Sequence, residues 1–283
     1  MAQMALADSP VGESLPEKRW VGHSFSQAAS GYDRVAALQR QVGEHLLARL
    51  REIPCAPQTI LDVGAGTGYC TTRLAEVFPD AGLIALDIAE GMLRTLRGRP
   101  GLPGSAQRIC ADAESLPLRA CSVDLVFSNL ALQWCADLPS VLAGFKRVLR
   151  PGGAVVFSTF GEATLCELRA AWASVDAYSH VNAFISRAAV EAALVGADFG
   201  DCRVSGERRV FAYASVDALL RELKSLGAHN VTQNRPRHLT GKGVFRKMLA
   251  AYADASVEGR VEASFEIVYG NGRLLGGKNR GRY

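Results

Sequence analysis

Ile60-Leu61-Asp62-Val63-Gly64-Ala65-Gly66-Thr67-Gly68 is the stretch that decides how this chain is read. An apolar run ends in an acid and a valine, and three glycines follow at alternate positions. The pattern is a buried strand breaking into a glycine loop at the start of a helix over 69–78. Glycine leaves room for a ligand to approach the backbone, and the first turn of a helix offers unpaired N–H groups. Two phosphate-binding motifs fail here. The dinucleotide fingerprint needs its third glycine three positions after the second, where this chain has Tyr69. The Gly-Lys-Ser/Thr of the phosphate loop is also missing.

Outward from this loop, strands and helices alternate. The expected strands are 59–63, 82–88, 107–111, 123–128 and 154–159. Helices are expected over 90–97 and 138–149, the latter with Leu138, Val141, Leu142, Phe145, Val148 and Leu149 at helical spacing. Pro151-Gly152-Gly153 stops that helix and turns the chain. Such alternation gives a parallel sheet with right-handed crossovers, and ligands bind beyond the carboxyl ends of its strands. After Phe160 the rhythm changes. Helices are expected over 165–175, 187–194, 216–226 and 244–253, an extended segment over 202–213, and a loop over 230–243. Strict alternation through Val261, Ala263, Phe265, Ile267 and Tyr269 predicts an edge strand over 261–269.

Composition narrows the classes. The 283 residues, 48% of them hydrophobic, suffice for one large domain or a core with an insertion. No run of 18 apolar residues exists, so no membrane span is expected. Residues 1–19 lack the basic start and apolar stretch of a signal peptide. The seven cysteines show no zinc spacing, and their odd number argues against a disulfide framework. Free thiols in a reducing cytoplasm and the absence of a metal site are the expectations. Residues 1–200 hold 17 Lys/Arg against 20 Asp/Glu, a balance of −3, whereas residues 201–250 hold 10 against 4, a balance of +6. The basic segment is either an ordinary solvated surface or a means of steering an acidic partner. It lacks the aromatics and basic helix run of a nucleic-acid binder, so none is expected.

Three positions at strand ends carry candidate chemistry. Asp87 closes the second strand and can accept both hydroxyls of a ribose, or cap the following helix. Asp112 follows the third strand, as an acceptor for an adenine amino group or as a turn acid. Asn129, with Leu130, follows the fourth, lining the same cleft or making a turn.

The D-x-G-x-G-x-G run resembles the S-adenosylmethionine loop of Rossmann-like methyltransferases. Ala113-Glu114-Ser115-Leu116-Pro117-Leu118 and Ser128-Asn129-Leu130-Ala131-Leu132-Gln133-Trp134-Cys135 carry the resemblance further. So do Ser26 to Asp33, Leu38-Gln39-Arg40-Gln41, His180 to Phe184 and Leu223 to Asn230. Over about 24–269 the chain resembles the malonyl-acyl carrier protein O-methyltransferases of biotin synthesis. It departs from them at Ala65, where relatives often carry cysteine, and in a longer basic tail. The resemblance implies an α/β Rossmann-like fold: a mostly parallel seven-stranded sheet with an antiparallel edge strand and a helical insertion after the fifth strand. It divides the chain into a disordered leader (1–22), a helical cap (23–58) and a cofactor-binding core (59–160). An insertion with one core strand (161–260), a final core strand (261–269) and a mobile tail (270–283) follow.

The same resemblance implies methyl transfer from S-adenosylmethionine to the free carboxylate of malonyl-acyl carrier protein. Cofactor contacts are then expected at Asp62, Gly64, Ala65, Gly66, Asp87, Ile88, Met92, Asp112, Ala113, Asn129 and Leu130. Tyr32 is expected to position the acceptor, with Arg40, Gln133, Trp134, His180 and Asn182 around the substrate. Arg208, Arg209, Arg246 and Lys247 are expected to dock the acidic carrier. The residues leave open a methyltransferase for a quinone precursor or another small acid, and a non-catalytic S-adenosylmethionine-binding protein. An oxidoreductase is disfavoured by Tyr69.

Overall fold

A strand buried on both faces must be apolar almost throughout, and β1 (Thr59–Val63) meets that condition, with only Thr59 half-buried. It forms the centre of the sheet in the computed structural model, which describes residues 18–53, 56–228, 241–254 and 260–275. β2 (Gly82–Asp87) and β3 (Gln107–Cys110) step outward on one side of β1, and β4 (Val123–Asn129) and β5 (Leu149–Phe160) on the other. All four of these pairings are parallel. β6 (Gly200–Tyr213) and β7 (Val261–Arg273) complete the order β3-β2-β1-β4-β5-β7-β6. The chain reverses its direction of travel across the sheet between β1 and β4. A crevice therefore opens at the carboxyl ends of these two strands.

The alternating segment from residue 261 is not the edge strand that its pattern predicts. β7 lies inside the sheet, antiparallel to both β5 and β6, and β6 is the edge. Ala263, Ile267 and Val268 are fully buried, as an interior strand requires. β6 alternates between half-buried and exposed residues and carries Arg203, Glu207, Arg208 and Arg209, charges that an edge tolerates. β7 also continues to Arg273, so the first residues assigned to a tail pair with β5, Gly270 opposite Phe157 and Arg273 opposite Ala154. Glycine is needed at 270 because a Cβ would stand 2.5 Å from the Phe157 ring.

Side chains alternate across each strand, so the sheet feeds two apolar clusters. Ile60, Leu125 and Phe127 face one, which contains α3 (Ala37–Arg49), α4 (Tyr69–Val77), α7 (Cys166–Ala173), α9 (Val216–Ser225) and α10 (Lys242–Asp254). Leu61, Val63 and Val126 face the other, against α6 (Leu138–Val148) and α8 (Arg187–Gly196). α5 (Glu90–Arg97) packs Leu93 and Leu96 on Ala85.

Ahead of the core, α1 (Lys18–Ala28) and the four-residue α2 (Tyr32–Val35) lie over the crevice. α1 rests directly on α5. Gly91 makes this possible, since a Cβ there would meet the Ser26 carbonyl oxygen at 2.5 Å. α1 begins at Lys18, inside the stretch read as a leader, whose first 17 residues lie outside the described part. Most of the expected 230–243 loop also lies outside it, and α10 starts at Lys242. Among the described residues no helix is long and apolar enough to cross a membrane.

Candidate active site

The loop after β1 turns through left-handed backbone at each of its three glycines, with φ of 72° at Gly64, 56° at Gly66 and 88° at Gly68. That conformation disfavours any residue with a Cβ. The loop is closed onto β2 by the Gly64 and Ala65 N–H groups, which both donate to the Leu86 carbonyl at 2.8 and 3.0 Å. A Cβ on Gly64 would strike that of Ala131 at 2.2 Å, whereas one on Gly66 would meet no protein atom within 4 Å. Open space therefore faces Gly66.

Asp87 borders this space. Its carboxylate accepts the Gly66 N–H at 2.8 Å and the Ala89 N–H at 2.8 Å, so it braces the loop and starts the turn into α5. Burial pushes its pKa up to about 6, against the pull of those two N–H groups. Asp62, almost fully buried, accepts the Thr71 hydroxyl at 2.6 Å. Burial raises it to about 7, the Thr71 bond opposing and the nearby Asp87 charge adding to the rise.

Two adjoining hollows flank these acids and share Tyr32, Gly64, Gly66 and Asn129. One runs past Asp87, Ile88, Met92, Asp112, Ala113 and Leu130. The other runs past Asp62, Ala65 and Arg40. The structure thus brings together every residue expected to hold the cofactor. The open cradle at Gly66 and the carboxylate beside it fit an adenosine-bearing ligand with hydroxyls to donate.

Tyr32 is half-buried between the two hollows. Burial, reinforced by the charge of Asp87, pushes its phenol above the usual tyrosine range, so it stays a neutral donor at physiological pH. Its short helix is latched to the glycine loop. Asp33 accepts the Thr67 hydroxyl at 2.6 Å and pairs with Arg99 at 2.9 Å. Arg40 donates to the Asp33 backbone carbonyl. Asp112 accepts from Lys18 at 3.0 Å, and Glu114 pairs with the same lysine at 3.1 Å.

A third cavity of about 540 Å³ adjoins the cleft. It shares Trp134 with the first hollow and Gln39 with the second. Its walls are largely apolar, including Phe160, Leu168, Phe211, Leu220 and Phe265. Trp134 meets Phe25 of α1 edge to face at 5.2 Å. Asn182 and His180 are both on this wall, but the His180 ring stacks flat on Trp172 at 3.6 Å and its Nε2 lies 2.9 Å from Asp176. Gln133 donates to the Leu130 carbonyl at 2.6 Å and borders none of the three spaces.

A methyltransferase-domain family profile matches residues 61–157, the strands and loops that form this cleft. A malonyl-acyl carrier protein O-methyltransferase from Methylococcus capsulatus is 52% identical over 255 residues, covering 89% of this chain and 92% of that protein. The chain belongs to the malonyl-acyl carrier protein O-methyltransferase family. A relative of that name from Gallionella capsiferriformans is 41% identical, with 92% of each chain covered. A biotin biosynthesis bifunctional protein from Cellvibrio japonicus is 41% identical over 89% of this chain and 49% of its own length. Among solved structures, the YcgJ protein of Bacillus subtilis shares the fold at TM-score 0.59 and 16% identity, covering 82% of this chain and 98% of that one. The protein is a Rossmann-like, S-adenosylmethionine-dependent O-methyltransferase.

The four basic positions expected to dock a carrier do not share a surface role. Arg208 bonds Ser264 at 2.7 Å and pairs with Glu167, and Arg209 pairs with Glu207 at 2.6 Å. Successive residues of β6, they also point to opposite faces. Arg246 and Lys247 are exposed on α10. Among the described residues no group of three or more His, Cys, Asp or Glu could hold a metal. Sequence reading missed Lys18, Phe25 and Gln39 as wall residues. The Lys-Arg-Trp-Val start of α1 was the available signal for the first two.

Two outcomes follow from this geometry. Gly66→Val would put a branched side chain into the open cradle on a left-handed backbone that such a residue strains, so the variant should lose both thermal stability and calorimetric S-adenosylmethionine binding; a folded variant with retained affinity would place the ligand elsewhere. The second concerns Asp62, which titrates near ~4 when unfolded and near 7 when folded. A raised carboxylate costs stability that is absent below the lower value and complete above the higher one. The melting temperature of Asp62→Asn, relative to wild type without ligand, should therefore climb between pH 4 and 8. A difference independent of pH would show that Asp62 carries no such burden.

Proposed function

We propose that this protein methylates the free carboxylate of malonyl-acyl carrier protein, with the glycine loop and Asp87 holding S-adenosylmethionine and Tyr32 aiming the acceptor. The observation that carries the assignment of roles is the 540 Å³ apolar cavity meeting the cofactor cleft at Gln39 and Trp134. A small free acid would not need such a chamber, whereas a carrier-bound acyl chain would.

When bound, S-adenosylmethionine supplies a methyl group on a positively charged sulfonium, a ready-made leaving group that calls on no metal. A carboxylic acid titrates near ~4, so the acceptor arrives ionised and needs no general base. Asp62 and Asp87 accordingly serve to bind and brace. Tyr32, kept protonated, donates its O–H to the acceptor carboxylate and leaves the other oxygen free to attack. Phe25, Trp134 and Phe160 keep water from that oxygen. Alignment of two reactants in this way is worth roughly 7–11 kcal/mol. An aromatic face beside the sulfonium adds about 0.5–2 kcal/mol. Esterification removes the negative charge, so the product resembles an ordinary apolar acyl chain.

The carrier face is best assigned to α9 and α10. Leu220, Leu223 and Phe245 of these helices wall the cavity, and Arg221, Lys224, Lys242, Arg246 and Lys247 stand exposed on them. Cations at the mouth of the chamber would steer an acidic carrier, chiefly by raising the association rate. We place the enzyme in the cytoplasm with its carrier and assign it no nucleic-acid partner.

Incubation with methyl-labelled S-adenosylmethionine and malonyl-acyl carrier protein should yield a base-labile labelled ester; no transfer to the carrier would overturn the assignment. Loss of a hydrogen bond to a charged group is worth about 1.5–3 kcal/mol. Tyr32→Phe should therefore lower kcat by about ten- to a hundredfold with calorimetric S-adenosylmethionine affinity nearly unchanged. Undiminished turnover would make Tyr32 a packing residue. Reversing Arg246 and Lys247 to glutamate should raise KM for the malonyl carrier several-fold, with methylation of a small malonyl thioester little affected. Added salt should bring wild type toward the variant, because exposed charges are screened over about 10 Å at 0.1 M salt. Unchanged carrier kinetics would move the docking face elsewhere.

A further inference from the structure

The 540 Å³ chamber has an apolar wall with two polar exceptions that stand out chemically. Gln39 and Asn182 line it, and among the described residues their side-chain oxygens are buried without a hydrogen-bond partner. Asn182 as a whole is only 9% exposed. Buried polar atoms of this kind are uncommon, because each forgoes its bonds to water without replacement. Three other polar groups on the same wall have partners. His180 faces Asp176, Glu222 accepts from Tyr213, and Thr164 donates to the Glu266 carbonyl.

Position adds to the argument. Gln39 borders both the chamber and the cofactor-side hollow. Its backbone carbonyl accepts the Asn129 side-chain N–H at 2.9 Å, and Asn129 in turn accepts from Ser158 at 2.9 Å. Gln39 is thus fixed to the strand ends that form the cofactor cleft, and Asn182 belongs to the insertion. An acceptor lying in the chamber runs past both.

We infer that the side-chain carboxamides of Gln39 and Asn182 recognise the secondary amides of the thioester arm that carries the malonyl group. A carboxamide presents a donor and an acceptor, and a secondary amide can meet either one, with its C=O or with its N–H. The match holds whichever way each side-chain amide is turned. The malonyl carboxylate and the thioester carbonyl only accept hydrogen bonds. They cannot satisfy an orphaned amide oxygen, whereas the N–H groups of a pantetheine-type arm can. The enzyme would thereby select amide-bearing thioesters over plain alkyl thioesters of equal length.

This inference rests on the proposed malonyl-thioester methylation, and the test separates the two. Wild type is assayed with malonyl-N-acetylcysteamine, which keeps one amide, and with an S-alkyl malonyl thioester of matched length that has none. The expected kcat/KM ratio favours the amide-bearing substrate by several-fold to about tenfold, the worth of one net hydrogen bond. Asn182→Leu and Gln39→Leu should each pull that ratio toward one, and calorimetric S-adenosylmethionine binding reports that each variant is folded. Equal kcat/KM for the two thioesters in wild type would overturn the inference, even if both variants failed to fold. So would an unchanged ratio in both folded variants. Failure of wild type to methylate any malonyl thioester, carrier-bound included, would instead overturn the methylation itself.

Discussion

The structure turns on one local constraint: three left-handed glycines between β1 and α4, held against the end of β2 by two N–H bonds to Leu86 and one to Asp87. Without that turn Asp87 would have no brace, and the open face at Gly66 would close. The latch through Thr67 to Asp33 would also lose its anchor, and with it the placement of Tyr32 over the cleft. A backbone requirement at three positions thus sets the geometry of the cleft, of the helix that covers it and of the Tyr32 phenol beside it.

That arrangement carries an electrostatic burden. Asp62 and Asp87 are buried acids whose pKa values lie well above the ordinary carboxylate range, so their ionised forms are unfavourable in the empty cleft. Hydrogen bonds from Thr71, Gly66 and Ala89 relieve this only in part. Burial of this kind is where stability is given up for a defined site.

The core was legible because its signals are local. The glycine loop, the β-strand runs and the helical spacing of 138–149 each lie within a dozen residues and fall where the structure places them, except that β5 begins at Leu149 and takes in Pro151-Gly152-Gly153, which the pattern reads as a turn. The position of β7 was not legible. Alternation says that one face is buried, but β7 is buried on both, and its small polar Ser264 and exposed Glu262 imitate an edge pattern. Its place between β5 and β6 depends on long-range pairings, from Tyr213 with Val261 to Ala154 with Arg273. Within the basic segment the pairing of single residues was not legible either. Charge counted along a chain says nothing of partners, and the engagement of Arg208 by Glu167 becomes visible only in space.

The division of labour between core and insertion explains how one fold can serve different acceptors. The cofactor hollows here are built from β1, β2 and β4 ends and from α1 and α2. The large apolar cavity is built instead from α7, α9, α10, the edge strand β6 and the interior strand β7 beside it. The two meet at Gln39 and Trp134, one from the N-terminal cap and the other from the loop after β4. A change in the insertion can therefore alter what is methylated while the methyl donor stays fixed. The junction must be rigid for the transfer to stay in line. Asn129, bonded to Gln39 on one side and Ser158 on the other, supplies that rigidity from within the sheet.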